Sequence, residues 1–442
     1  MNIQIAAIAM AGQYEVGFAE TPAQFRQTVA ALEARGIRVL DGWLVYDIET
    51  LAQARARLEG QSFCALLVCV GTWSEDHHLL ELMHAHPKPV ILHAYPGVET
   101  GSLCGVQQIG SVFRDIGFRR FSYVFGEAGS PETTEKILGE LQVCGLEAVM
   151  KHTRFASIGG RCGGMTETAF DEFELLQKVG AQVMNIDESE LLQAVAEAPE
   201  SVASELLGEM KRRFSKIYSS DEQLLESLRY YLAMKQLAER YALSGFAIKC
   251  YTKYMGKVCL GGALLAEEGI VSACEGDVNN AVMMKILQTL SGGCVNCTDI
   301  LQPDADANTI LFAHCGNTGF SLAPSAEDVE LCPVRIMEQG VCGRFVCKPG
   351  PVTAVDLVGH GGTLRMSILT GQVVPSAMEF PGTPMKIRMK RPVLDLCEEI
   401  TLQGCGHHWM VCYGDYARPL RKYCQNAGIT LIDLDGPSAP GR

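Results

Sequence analysis

The chain has 442 residues, 48% hydrophobic and 20% charged, which is enough apolar material for more than one core and too much for a disordered chain. With 37 Lys and Arg against 51 Asp and Glu, its formal charge is −14, which argues against a general nucleic-acid binder because phosphate contacts need basic side chains. It has no polybasic patch and no uninterrupted apolar run of the ~18 residues a membrane span needs, so no membrane association is expected.

The first ten residues lack the basic segment and cleavage site of a signal peptide, so the chain is expected to be cytoplasmic and its 18 cysteines reduced. A buried strand is expected over 2–9, a helix over 24–35, a strand over 37–40 and a helix over 50–58. The alternation continues with strands over 62–70, 89–94 and 121–125 and helices over 75–86, 105–116 and 132–144. Near-continuous apolar strands between helices specify a parallel sheet covered on both faces, doubly wound in the flavodoxin-like manner. A glycine-rich segment, Gly159-Gly160-Arg161-Cys162-Gly163-Gly164, follows a first boundary near residue 155. It matches neither G-x-G-x-x-G nor the Walker pattern, so a turn or interdomain joint is expected.

A second α/β region has a helix near 169–179, a strand over 182–186, long helical stretches over 188–218 and 221–243, a strand over 246–251 and a helix over 279–289. After about residue 292 the segments shorten and gain Gly, Pro and Thr. Strands are expected over 308–313, 343–347, 352–358, 363–369 and 384–388. A helix over 415–426, a strand over 429–434 and a loose tail over 437–442 end the chain. The expected architecture is two doubly wound α/β domains, 1–155 and 156–292, followed by a β-rich C-terminal domain, 293–442.

Four places carry residues suited to chemistry. Glu275, in Cys274-Glu275-Gly276-Asp277, ends an apolar run, where α/β strands build ligand sites; a polar loop after a strand explains it equally well. Asp299 follows in Cys297-Thr298-Asp299-Ile300 and is weak alone. His314 ends a strongly apolar run and is either a ligand or a satisfied core histidine. Gly404-Cys405-Gly406-His407-His408 puts adjacent histidines in a glycine-rich turn beside a strand over 409–413. Neighbours on a strand face opposite sides, so at most one of the pair is expected in a given site. Two carboxylates with one or two histidines suit a hard or borderline divalent ion such as Mn²⁺ or Mg²⁺. Cys294-Val295-Asn296-Cys297 has no second ligand pair for zinc, so core packing beside the site is its expected role. No motif marks a nucleophilic serine or cysteine.

These motifs, in this order, resemble the L-fucose/L-arabinose isomerase superfamily. Ala273-Cys274-Glu275-Gly276-Asp277-Val278 with Thr298-Asp299 is similar to the metal-binding pair of fucose isomerases, and Gly404 through His407-His408 to Ile429-Thr430-Leu431-Ile432-Asp433 to the end of arabinose isomerases. Gly71-Thr72-Trp73, Ser102-Leu103-Cys104-Gly105, Gly160-Arg161 with Gly164-Met165, and Phe312-Ala313-His314-Cys315 add weaker likenesses. The resemblance implies a Mn²⁺-dependent aldose–ketose isomerase (Mg²⁺ and Co²⁺ being alternatives) of two α/β domains and a β-rich C-terminal domain. It also implies a homo-oligomer, as a trimer, tetramer or hexamer, with sites shared between subunits. Carried over by motif, Glu275 and Asp299 would be metal ligands that also transfer protons, and His408 a ligand. His314 matches a ligand of the arabinose branch only.

Trp73 matches an aromatic that lines a neighbouring subunit's site in the fucose branch. His407 and Arg161 are candidates for substrate binding. Arg161 and Lys249 are also candidates for holding an anionic group, with a solvated or structural role as the alternative. A metal chelated by O1 and O2 of the sugar would stabilise the enediolate while one carboxylate takes the C2 proton and an acid returns a proton to C1. The mixture of branches leaves the sugar open. It is neutral, of the L-fucose or L-arabinose type, or anionic, as in the conversion of sulfoquinovose to 6-deoxy-6-sulfofructose by short relatives of the fucose branch. A non-catalytic sugar-binding protein, and an epimerase or aldolase using similar chemistry, are the competing expectations.

Overall fold

The computed structural model describes residues 3–436; the tail expected to be loose, 437–442, lies outside the described residues. The chain divides into two compact units, Met1–Ala148 and Val149–Arg442. Among the described residues, no helix is long and apolar enough to cross a membrane.

In the first unit, strands and helices alternate as β1 (Gln4–Met10), α1 (Thr21–Glu33), β2 (Arg38–Val45), α2 (Ile48–Leu58), β3 (Leu66–Val70) and α3 (His77–Ala85). They continue as β4 (Val90–Ala94), α4 (Ser102–Asp115), β5 (Phe121–Phe125) and α5 (Pro131–Met150). The five strands form one parallel sheet in the order β2-β1-β3-β4-β5. Every residue of β3 and β4 is buried, because helices cover both faces; this is why both read as unbroken apolar runs. The strand order reverses between β1 and β3, so the loops after these strands border the crevice at the sheet's carboxyl end. Trp73 lies in the loop after β3. Its backbone N–H donates to the Thr100 carbonyl at 2.8 Å and its indole N–H to Gln108 Oε1 at 2.8 Å.

The second unit opens with β6 (Arg154–Ile158), α6 (Glu172–Lys178) and β7 (Gln182–Ile186). The helical stretch expected over 188–218 is two helices, α7 (Glu188–Glu197) and α8 (Glu200–Arg213), followed by a short strand, β8 (Lys216–Ile217). Pro199 cannot continue the first helix and stands at the N-cap of the second. Next come α9 (Asp221–Tyr241), β9 (Gly245–Ile248), α10 (Cys259–Glu267), β10 (Val271–Ala273) and α11 (Val278–Ser291). α10 escapes sequence patterning because it is apolar on all sides and buried from Cys259 to Ala266. The strands form a parallel sheet in the order β10-β9-β6-β7.

The rest is β-rich: β11 (Asn296–Asp304), β12 (Thr309–Ala313), β13 (Glu330–Cys332), β14 (Cys342–Arg344), β15 (Gly350–Val358), β16 (Arg365–Val373) and β17 (Met385–Met389). Then come α12 (Val393–Leu402), which sequence patterning missed, β18 (His408–Tyr413), α13 (Ala417–Ala427) and β19 (Thr430–Asp433). β14, β13 and β8 make a small sheet, and the others pair in the order β15-β18-β11-β12-β17-β16-β19. β15 also pairs with β16 along its whole length, so six strands close into a ring and β19 lies parallel to β16 outside it. α11 packs against β15 and β18. The fold is thus mixed α/β, with two parallel sheets and a β-rich sheet, as the sequence led us to expect; the closure of that sheet into a ring was not foreseen.

Candidate active site

Strand register assembles most of the site. β11 pairs Asp299 with His408 of β18, and also with Ala313 of β12, the residue before His314. Residues directly opposite on neighbouring strands point to the same face, so Asp299 and His408 share one. His314 leaves the end of β12 with its Nε2 3.9 Å from Asp299 Oδ2 and its ring 5.7 Å from that of His408.

Glu275 arrives from the parallel sheet, in the turn beyond β10. Its backbone is left-handed (φ 62°), uncommon for a residue with a Cβ. At Gly276 a Cβ would stand 2.1 Å from the Gly160 carbonyl oxygen, so only glycine allows this approach. The glycine-rich segment is therefore a wall of the site: the Cys162 N–H donates to the Glu275 carbonyl at 3.3 Å. Oε2 of Glu275 lies 3.0 Å from His408 Nε2.

Both histidines of the adjacent pair reach this carboxylate, which corrects the expectation drawn from strand alternation. β18 begins at His408, so His407 belongs to the preceding turn, where alternation does not hold. His407 Nε2 is 3.9 Å from Glu275 Oε2, and the two rings are 3.9 Å apart. The turn depends on Gly406, whose N–H donates to Asp356 Oδ2 at 2.7 Å and where a Cβ would crowd Val358 Cγ1 at 2.7 Å.

Three carboxylates that the sequence did not assign stand behind the histidines. Asp277 Oδ2 faces His408 Nδ1 at 2.9 Å, while its Oδ1 accepts the Asn280 N–H at 3.0 Å and so caps α11. Glu167 Oε1 is 2.5 Å from His407 Nδ1. Asp356 is wholly buried on β15. Asp277 was visible two residues from Glu275, and Asp356 as a lone charge inside an apolar strand; nothing local marks Glu167. Of the other candidates, Arg161 is exposed on the glycine-rich loop and donates to the Met165 carbonyl at 3.3 Å. Lys249 follows β9 and lays its stem against Gly159. Trp73 belongs to the first unit. Cys294 and Cys297 are buried thiols.

The electrostatics follow from burial and pairing. Burial opposes the charge on Glu275, but the imidazoles of His407 and His408 and the charge of His314 outweigh it and hold the carboxyl well below the usual range. Burial likewise opposes protonation of His408, yet Asp277 and Glu275 raise its pKa well above the ordinary value. Burial raises Asp356 to about 7.

Two overlapping sets bring ligand atoms within 4.8 Å of one another: Glu275, His314 and His408, and Asp299, His407 and His408. Asp299 Oδ1 and His314 Nδ1 are buried without a hydrogen-bond partner. Unpaired buried oxygen and nitrogen donors, beside carboxylates that outnumber the cations facing them, fit a divalent ion of the Mn²⁺ class. A cation there would displace the protons these histidines otherwise hold.

No protein-family model matches the chain. It is 22% identical over 391 residues to sulfoquinovose isomerase from Priestia aryabhattai, covering 85% of this chain and 87% of the relative. It is 25% identical over 358 residues to sulfoquinovose isomerase from Clostridium sp. (strain MSTE9), covering 78% and 80%. L-arabinose isomerase from Klebsiella pneumoniae (strain 342) is 21% identical over 357 residues, covering 73% and 70%. Relatives of two specificities are matched along most of their length, and the chain carries motifs of both branches: it is similar to isomerases of the L-fucose/L-arabinose superfamily.

Proposed function

We propose that this chain is a metal-dependent aldose–ketose isomerase of a free sugar, with sulfoquinovose as the first substrate to test. The observation that carries the reading is the convergence on His408 of two ligand sets, Glu275 with His314 and Asp299 with His407. The widest-matching of the relatives described are sulfoquinovose isomerases, which favours the anionic sugar. The L-arabinose isomerases among the relatives support a neutral aldose as the second reading.

The chemistry moves a hydrogen between C1 and C2. Glu275, Asp299, His408 and His314 would hold the ion, Mn²⁺ by preference, which when bound supplies Lewis-acid stabilisation of the charge that develops on O1 and O2. Glu275 and Asp299 form the proton-transfer pair: one takes the proton from C2 and the other helps return one to C1. Asp277 keeps the His408 proton on Nδ1, so that Nε2 presents its lone pair to the site. Glu167, whose carboxylate lies beside His407 Nδ1, favours charge on that imidazole, whose Nε2 is on the side of Glu275. The glycine-rich wall lets backbone approach the substrate and carries Arg161 at the rim. Trp73, partly exposed in the first unit's loop, is offered to the sugar of a second copy, which makes a homo-oligomer the working assembly.

The test is C2-proton exchange followed by NMR in D₂O, with metal-stripped protein, with and without Mn²⁺, against sulfoquinovose and neutral aldoses. Mn²⁺-dependent exchange with ketose formation is expected. Exchange that yields only an epimer, or sugar binding with neither exchange nor metal uptake, overturns the proposal.

A further inference from the structure

The first unit holds a second cluster of metal-ligand groups. It sits where the loop after β3 enters α3, in Glu75-Asp76-His77-His78. Glu75 Oε2 is 3.5 Å from His77 Nε2 and 3.9 Å from His78 Nε2, and the imidazole rings lie side by side with centroids 4.2 Å apart. The three groups each bring a ligand atom within 4.8 Å of the others. These separations are too long for hydrogen bonds. They are close to the spacing of about 3.3 Å between ligands that stand 2.0–2.1 Å from a tetrahedral ion.

Two further observations point to a cation. The His78 side chain is only 4% exposed, and among the described residues no protein group hydrogen-bonds its ring, which leaves its nitrogens open to another partner. The cluster also lines a shallow, open surface depression of about 400 Å³ with Tyr46, Asp47, Ile48 and Glu49. The walls thus hold Asp47, Glu49 and Glu75 and neither Lys nor Arg. Neighbouring groups leave these ligands free. Asp76 is engaged by the Gln108 amide at 3.0 Å, and Asp47 gives Oδ1 to the Thr50 N–H as the cap of α2. Burial holds His78 toward its neutral, ligating form.

We propose that Glu75, His77 and His78 form a second metal site, for a borderline divalent ion such as Zn²⁺ or Co²⁺. Two imidazoles and one carboxylate are the nitrogen–oxygen donor set such ions prefer, with remaining positions filled by water from the depression. The ion would tie the loop that carries Trp73 to the start of α3.

The test uses the full-length protein, stripped by chelator and dialysed against a buffered low concentration of free Co²⁺. Cobalt is counted per chain and its d–d absorption recorded. Wild-type protein is expected to bind two equivalents, His77→Ala one, and His408→Ala one with the spectrum of the Glu75 site retained. A single equivalent in the wild type that His77→Ala removes also supports this site, and counts against the ion at Glu275 instead. Uptake by His77→Ala equal to the wild type's, or a single wild-type equivalent removed only by His408→Ala, overturns the proposal. His77 is exposed, so metal-free melting of His77→Ala should match the wild type, which separates lost ligation from lost fold.

Discussion

The molecule sets two pairs of adjacent histidines against a glutamate, and they differ in what surrounds them. His407 and His408 face Glu275 with rings 3.9 Å apart; His77 and His78 face Glu75 with rings 4.2 Å apart. Behind the first pair stand Asp277 and Glu167, each aimed at a ring Nδ1. Behind the second, neither imidazole has such a partner among the described contacts, and Glu75 and His77 are open to solvent. Similar ligand types therefore make two different kinds of site. One has Asp277 bonded behind His408, which orients that ring in advance. The other has the donors but depends on the ion to organise them.

The largest expected effect breaks the first site at its carboxylate. Glu275→Gln keeps the shape and removes the charge, so C2-proton exchange should fall by about 10²–10⁴-fold, with metal affinity lost as well. NMR exchange rates and a metal titration on the same preparation check this.

A histidine outside both pairs sharpens the comparison by being buried with no carboxylate at all. His93, on β4, has its Nε2 3.0 Å from the Gly126 carbonyl, and burial pushes its pKa down to about 4. His408 is as deeply buried but shifts upward, because two carboxylates face it. The folded state thus disfavours the proton on His93, and the stability it contributes is present above about pH 6.5. That stability is lost as pH falls toward 4, by roughly 3 kcal/mol in total. Urea unfolding of the protein and of His93→Gln between pH 7 and 4 should show the slope in the first and its loss in the second.

Smaller effects come from the carboxylates behind the first pair. Asp277→Asn puts an amide donor against His408 Nδ1 and drives the proton to Nε2, so metal affinity should weaken about 10–100-fold while the fold survives. A titration of the metal-free variant measures the affinity, and ¹⁵N shifts of His408 report the tautomer. Glu167→Gln alters a half-exposed pair, so kcat/KM should change by no more than about fivefold. A larger change would mean that Glu167 touches the substrate.

The same contrast explains what the sequence revealed. The first unit was legible because most of its strands are local apolar runs and its helices alternate with them; β2, interrupted by Asp41 and Gly42, was seen only in its first half. Glu275, Asp299, His314 and His408 stood out one at a time, as polar residues closing apolar segments. Their convergence was hidden, because it rests on Asp299 being opposite His408 across β11 and β18, a register that links residues more than a hundred positions apart. His407 was misjudged for a local reason: a strand rule was applied one residue before the strand begins. α10 was missed because complete burial erases the polar face that marks a helix, and the 188–218 stretch was overextended because its period continues across Pro199.

The ring of six strands bears on how such a site resists error. In an open sheet, one strand can slip past its neighbour by a residue and turn every side chain to the wrong face. Here β11 is held by β12 on one side and β18 on the other, and the circuit returns through β15, β16 and β17. A slip at any seam must be matched around the whole circuit. The alignment of Asp299 with His408 is therefore a property of the closed loop, and the seam between β15 and β16 guards the geometry of a cluster to which neither strand gives a ligand.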